Sequence, residues 1–272
     1  MITFHLKRNP TVPLDGEVLS PDVVRDLSCA EIGDLEIHHG RRTCHVSDFF
    51  DVTGERSSDL VIEGDCRRIR WIGRSMSTGT ITIRGDVGPH LGAYMRGGEI
   101  IVHGNASDWL GAEMQAGSIH VHGDAGNSVG GAYIGSPHGM RGGRIIITGT
   151  VGNQLGSRMR RGTIAVGGEA GSFAGLEMKG GTIILASGAG GRPGASMKRG
   201  TIVSLEPLQV MDTFSSCSSY NPTFLRVYAR ALAETGVGVP FDESEGNYRR
   251  FAGDAYSMGK GEILVWQPAT KV

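Results

Sequence analysis

The sequence predicts an all-β chain: a right-handed parallel β-helix, or solenoid, of about seven 19-residue coils, with a short N-terminal α/β cap and a C-terminal helical cap. Three observations carry this. Methionine followed three residues later by glycine recurs at Met76/Gly79, Met95/Gly98, Met114/Gly117, Met140/Gly143, Met159/Gly162, Met178/Gly181 and Met197/Gly200. Successive methionines are 19, 19, 26, 19, 19 and 19 residues apart, so one coil carries a seven-residue insertion, in GGAYIGSPHGM; a fixed short period with one such interruption marks a stacked repeat. Apolar residues alternate after each pair, as in Ile81/Ile83, Ile100/Val102, Ile119/Val121, Ile145/Ile147, Ile164/Val166 and Ile183/Leu185, which is strand periodicity.

The elements follow in order. Residues 1–58 lack the repeat and form the N-terminal cap, with MITFHL as a strand and SPDVVRDL as a short helix having Ser20 as N-cap and Pro21 at its first position. SDLVIEGDCRRIRWIG reads as a degenerate first coil, and the β-helix spans 59–206. Its corners carry a GxxGxxxG frame: GDVGPHLG, GDAGNSVG, GTVGNQLG and GEAGSFAG, with GNASDWLG keeping the outer two glycines. Glycine recurs there because each coil turns tightly at the same corners, with positive φ or no room for Cβ. Val87, Ala106, Ala125, Val151, Ala170, then Leu91, Leu110, Val129 and Leu155, fill the interior beside a methionine ladder. A left-handed β-helix shows a six-residue sub-period, which is missing here, and parallel crossovers are right-handed by default. Residues 207–272 form a C-terminal helix and tail, either a cap or a contact with another subunit. NPTFLRVYARALAETG reads as an amphipathic helix ending at Gly236 with Phe224, Val227 and Leu232 on its apolar side, and MGKGEILVWQP as a strand-like end.

Composition narrows the function classes. Glycine numbers 44 of 272 residues, far above the usual share, yet without a collagen period. A net charge of −1 gives no global case for nucleic acid. The four cysteines form no CxxC pair, which disfavours a zinc ribbon or iron–sulfur cluster and suits reduced thiols. No apolar run has the length of a membrane span, and MITFHLKRNP lacks a signal-peptide core, so the expected location is the cytoplasm, with no membrane or nucleic acid partner.

Catalytic chemistry is hard to find. No helix follows the glycine turns and no GK[ST] occurs, so they read as corners rather than phosphate cradles. His103 stands over His122, with His120 assigned to the opposite face of its strand; no carboxylate shares the column, and a solvated pair is favoured over a metal site. CHVSD sets Cys44 beside His45 on alternating faces, which is no nucleophile–base pair. Asp86 and Asp124 are two coils apart with Asn105 between them. The expected set of catalytic residues and of metal ligands in this chain is therefore empty.

One pattern is chemically suggestive. The residue after each methionine is Ser77, Arg96, Gln115, Arg141, Arg160, Lys179 and Lys198, with Arg161 and Arg199 reinforcing two coils. Five of seven rungs carry a cation at one equivalent position. Such a ladder suits a polyanion or an acidic partner surface. The alternative is a solvated edge that discourages aggregation.

The serial strands GTITIRG, GEIIVHG, GSIHVHG, GRIIITG and GTIAVGG, joined by the GxxGxxxG corners, resemble the GXGXG β-helix family, over about residues 59–206. That family includes the C-terminal domain of the glutamate synthase large subunit and the C subunit of formylmethanofuran dehydrogenase. With Ile2 rather than cysteine after Met1 and no flavin-barrel segment, the chain is more similar to the free-standing C subunit, and GGAYIGSPHGMRGG resembles the insertion found there. The resemblance implies a scaffold role beside the A, B and D subunits of a formyltransferase/hydrolase complex that takes formyl-tetrahydromethanopterin to formate through a methanofuran-type carrier. It also implies that this chain binds no cofactor, and that zinc and carrier belong to partner subunits. With 22 Arg against 5 Lys, the composition leans toward this bacterial form rather than a tungsten or molybdenum dehydrogenase. The cationic ladder is then a candidate seat for the carrier's glutamate-rich tail. A separate glutamate-synthase-like module, a self-contained polysaccharide-active β-helix and a hexapeptide-type acyltransferase are the competing readings.

Overall fold

A computed structural model describes residues 1–233, 235–240 and 245–269. The N-terminal segment begins with β1 (Ile2–Leu6) and β2 (Leu14–Asp15), then α1 (Pro21–Val24) and α2 (Cys29–Gly33), β3 (Glu36–His39), β4 (Arg42–His45) and β5 (Phe50–Gly54). Ser20 does occupy the N-cap of α1 with Pro21 in the first turn, but its hydroxyl makes no cap bond and is buried without a partner. The working cap is on α2, where Ser28 and Glu31 form the reciprocal capping box; that box satisfies two orphan donors at once.

The repeat region then lays down β6 (Asp59–Glu63), β7 (Ile69–Arg70), β8 (Thr80–Arg84), β9 (Arg96–Val102), β10 (Ala116–Val121), β11 (Arg144–Ile147), β12 (Thr163–Val166), β13 (Lys179–Leu185) and β14 (Arg199–Ser204). From β6 and β8 through β14 the strands pair in parallel, one coil upon the next, with Ile81 beside Ile100, Ile100 beside Ile119 and Ile119 beside Ile145. A second column of parallel bridges runs Cys66, Val87, Ala106, Ala125, Val151, Ala170 and Ala189. The inward isoleucines and valines of the strands are fully buried, the bridge column is buried except for half-buried Ala189, and the seven repeat methionines show no exposure at all.

Beyond β14 come β15 (Ser215–Tyr220), α3 (Leu225–Leu232), β16 (Gly246–Gly253) and β17 (Lys260–Pro268). The sheet has 13 strands in the order β15-β16-β17-β14-β13-β12-β11-β10-β9-β8-β6-β1-β5. β1 stacks parallel beneath β6 and β17 parallel upon β14, so both ends of the chain extend the solenoid. The outermost strands β5, β16 and β15 run antiparallel, closing the edges that stacked coils expose. Residues 234, 241–244 and 270–272 of the predicted C-terminal segment lie outside the described residues.

α3 lies on the outer face of the sheet. There the outward column turns apolar at Ile146, Ala165, Ile184, Val203 and Leu264, and Leu225, Leu232, Val237, Val239 and Tyr248 cover it. The apolar side of α3 is therefore Leu225, Tyr228, Ala229 and Leu232, at helical spacing. This corrects the expected phase: Val227 is 68% exposed and Phe224 37%, and the helix stops at Leu232, short of Gly236.

Candidate functional site

The residue after each core methionine emerges along one edge of the sheet. Its N–H donates to the methionine carbonyl one coil below: Arg96 to Met76 (2.7 Å), Gln115 to Met95 (2.8 Å), Arg141 to Met114 (2.7 Å), Arg160 to Met140 (2.8 Å), Lys179 to Met159 (2.7 Å) and Lys198 to Met178 (2.7 Å). Their backbones thus stand in register at strand spacing, about 4.8 Å apart. Arg199 pairs with Lys179 below and with Lys260 of β17 above, so the C-terminal strand adds a cation to this edge. Arg161 is exposed next to Arg160. At the lower end, Asp22 of α1 accepts both the N–H and the hydroxyl of Ser77, each at 2.6 Å. Higher up, Arg141 lies 3.8 Å from the buried carboxylate of Glu113, and the Lys179 ammonium donates to the Pro137 carbonyl. Among the described residues, Arg96, Arg160, Arg161, Lys198 and Arg199 form no ion pair.

The histidines are placed differently from expectation. His120, on β10, and His122, one residue past its end, share a face; their rings sit 4.3 Å apart, while His103 stacks on His122 at 5.1 Å. Burial, first, and then the neighbouring His122, Arg144 and His103 hold His120 below its ordinary pKa. Among the described residues no group of three or more His, Cys, Asp or Glu is placed to hold a metal ion. The four cysteines are unpaired thiols, and burial pushes the Cys66 thiol up to about 12, which makes it unreactive.

Asp86, Asn105 and Asp124 have a structural task. Asp86 Oδ1 accepts the Asn105 N–H (2.8 Å), Asn105 Oδ1 that of Asp124 (2.8 Å), and Asp124 Oδ1 both the N–H (2.7 Å) and the hydroxyl (2.9 Å) of Thr150. A second such ladder runs through Asp108, Asn127, Asn153 and Ser172. Each corner side chain accepts a backbone donor of the next coil.

An aromatic cluster joins residues that no sequence motif singles out. Trp71, His90 and Trp109 recur at the 19-residue period, each with positive φ, and stack outside the corner: Trp71 to His90 at 4.1 Å and His90 to Trp109 at 6.5 Å. Tyr133 from the insertion wedges against them, 4.9 Å from Trp109, and its hydroxyl meets His90 Nδ1 at 2.9 Å. Arg74 lies over Trp71 at 4.8 Å. Burial lowers the His90 pKa and raises that of Tyr133. The period of 19 is the signal that could have found the first three; Tyr133 carries no such mark.

Known proteins share this architecture. The family model described as the GXGXG motif matches residues 56–217. The C subunit of the tungsten-containing formylmethanofuran dehydrogenase 2 of Methanothermobacter wolfeii is 36% identical over 92 residues, covering 32% of this chain and 34% of that one. The C subunit of the molybdenum-containing formylmethanofuran dehydrogenase 1 of Methanosarcina barkeri is 44% identical over 90 residues, 31% of this chain and 30% of that one. These alignments span about a third of the length of the curated relatives. The crystal structure of the formyltransferase/hydrolase complex (FhcABCD) from Methylorubrum extorquens, in complex with methylofuran, contains a chain that is 35% identical, with a TM-score of 0.90 over 97% of this chain and 98% of that chain.

Proposed function

The chain belongs to the GXGXG motif family, and from that membership we propose that it is the non-catalytic β-helix subunit of a formyltransferase/hydrolase complex. In this reading it works in the cytoplasm beside the A, B and D subunits, which take formyl-tetrahydromethanopterin to formate through a methanofuran-type carrier. Zinc and the carrier's reacting end belong to those partners. The observation that carries the reading is the end-to-end match, 97% of one chain on 98% of the other, with a chain of such a complex. The polar side chains at the corners support it, because they are engaged in holding coil to coil. Arg96, Arg160, Arg161, Lys198 and Arg199, which form no ion pair among the described residues, with Arg141 and Lys179 between them, form the edge proposed to meet an acidic partner surface or the carrier's glutamate-rich tail.

The second reading, a subunit of a tungsten or molybdenum formylmethanofuran dehydrogenase, draws on the 36% and 44% identities within the repeat. A tagged chain recovered from its native host, with mass spectrometry and metal analysis, separates the two. Zinc with an amidohydrolase-type subunit and a formyltransferase is the expected result. Tungsten or molybdenum with iron would establish the dehydrogenase instead. Recovery of the chain alone would end the scaffold reading.

A further inference from the structure

The seven-residue insertion is the one interruption of the 19-residue period. A solenoid tolerates such a loop where it does not disturb stacking, and the loop then serves the outside of the molecule. This loop is held from several directions. The Tyr133 N–H donates to Glu113 Oε1 (3.2 Å), the Tyr133 hydroxyl meets His90, an Arg158 guanidinium N–H donates to the Ser136 carbonyl (2.9 Å), and Lys179 holds the Pro137 carbonyl. A turn bond from the Ser136 N–H to the Tyr133 carbonyl (2.9 Å) fixes the tip. Yet this pinned tip presents Ile134 at 98% exposure. Isolated exposed isoleucines are ordinary. Here the side chain stands beside half-buried Trp109 and Leu176 around a cavity of about 250 Å³, and its loop is already ordered, so docking would cost little entropy.

Charge completes the pattern. Four residues along the loop, His138 has a buried Nδ1 without a hydrogen-bond partner. The cations are placed at this end of the loop by contact: the Arg160 N–H donates to the Met140 carbonyl (2.8 Å), Lys179 to the Pro137 carbonyl, and Arg141 lies 3.8 Å from Glu113. The neighbouring carboxylates are taken: Glu113 lies against Arg141 and Glu177 against Arg158. Arg160 forms no ion pair among the described residues.

We propose that this insertion is the docking element of the solenoid, and that it receives a partner protein surface offering an apolar pocket for Ile134 bordered by carboxylates for the Arg160 cluster. The proposal rests on the reading of this chain as one subunit of a complex. An aromatic or aliphatic anchor within a desolvated, charged surround is how a small part of an interface comes to dominate its affinity.

The test uses the full tagged chain in its native host, with the co-recovered amidohydrolase-type and formyltransferase subunits identified and quantified by mass spectrometry. Ile134→Asp, Ile134→Ala, Arg160→Glu and the control Val227→Asp are compared with the unaltered chain, and the melting temperature of each is measured. The expected result is a fall in partner recovery of about tenfold for Ile134→Asp, a smaller fall for Ile134→Ala and for Arg160→Glu, and none for Val227→Asp, all with unchanged melting. Full recovery with Ile134→Asp, while the unaltered chain brings its partners, would overturn the docking assignment and leave the subunit reading standing. An unaltered chain that comes back alone would remove the subunit reading and the docking with it. Loss with Val227→Asp in place of Ile134→Asp would move the contact to α3 and overturn the proposal. So would a dimer of the purified chain that Ile134→Asp splits, since the loop would then serve a second copy.

Discussion

Glycine and methionine share one small volume in successive coils of the stack. A Cβ built on Gly117, Gly143, Gly162, Gly181 or Gly200 would meet the methyl of the methionine one coil below, Met95, Met114, Met140, Met159 or Met178, at 2.8 Å. The glycine is needed for its φ as well, +106° at Gly200, a region that costs an L side chain about 1–2 kcal/mol. Gly200→Ala is expected to destabilise the chain by more than that backbone cost, and Met178→Ala by about 2–5 kcal/mol through the cavity it leaves. Because Met178 supplies two of the three nearest atoms at Gly200, Gly200→Ala should cost less in a Met178→Ala background. Denaturant melts of the two singles and the double read this coupling; strict additivity would sink it. The corner carboxamides and carboxylates give a second contrast. Asp124 serves Thr150 as an acceptor; Asn105 in the same ladder and Asn127 in the second one accept in the same way without charge. Asp124→Asn should therefore melt within a degree or so of the original, while Asp124→Ala loses about 0.5–1.5 kcal/mol with the acceptor that the exposed Thr150 donors use. Equal losses for both would mean that the charge matters and the acceptor does not.

At the scale of the element, the repeat strands were legible because the same steric rule acts on every coil and leaves the same residues behind. β17 obeys the glycine half of that rule: MGKGEIL carries Met258 and Gly261 at the repeat spacing, and Gly261 sits over Met197, while Met258 itself is exposed. Its place in the stack is hidden because 61 residues separate Met258 from Met197, so the period is broken in sequence and restored only in space. The cationic edge was legible for the same periodic reason. Its upward extension by Lys260 was not, nor was the engagement of Arg141 and Lys179, which depends on where the insertion folds. The phase of α3 was misread because Phe224 and Val227 are as apolar as the residues that bury; only the outward column of Ile184 and Val203 decides which side is covered. That assignment is testable. Leu225→Asp places a carboxylate in the second core and should lower stability by several kcal/mol, whereas Val227→Asp, on the open side, should shift it by about 0.5 kcal/mol or less. Comparable losses for the two would turn the helix back to the phase its sequence suggests.

At the scale of the whole molecule, the titrating groups that folding perturbs act in separate pH windows. Asp65 is held down to about 2 by the Arg67 guanidinium. Its contribution is full above its ordinary value of 3.8 and fades only as pH falls toward the folded value. His90 and His120 are both lowered from 6.5, in each case by burial first, then by cations such as Arg70 for one and by His122 and Arg144 for the other. For these the unfolded chain binds protons that the folded chain refuses. Their contribution is therefore intact above about pH 6.5 and drains away as pH falls below it through the folded values. Between about pH 6.5 and 4.5 the loss belongs to the histidines alone among these groups, since Asp65 has not begun to titrate. Melting temperature is thus expected to decline from about pH 7 to 5, and His90→Gln with His120→Gln should flatten that slope while leaving the acid limb near pH 3 in place. The two sites lie on different faces, one in the aromatic stack under Tyr133 and the other on the outer sheet beside His122. Their effects should accordingly add. A slope that survives both substitutions would move the sensitivity from these two rings to His138, whose pKa folding also lowers, by desolvation first and then by Lys179, Arg160 and Arg141.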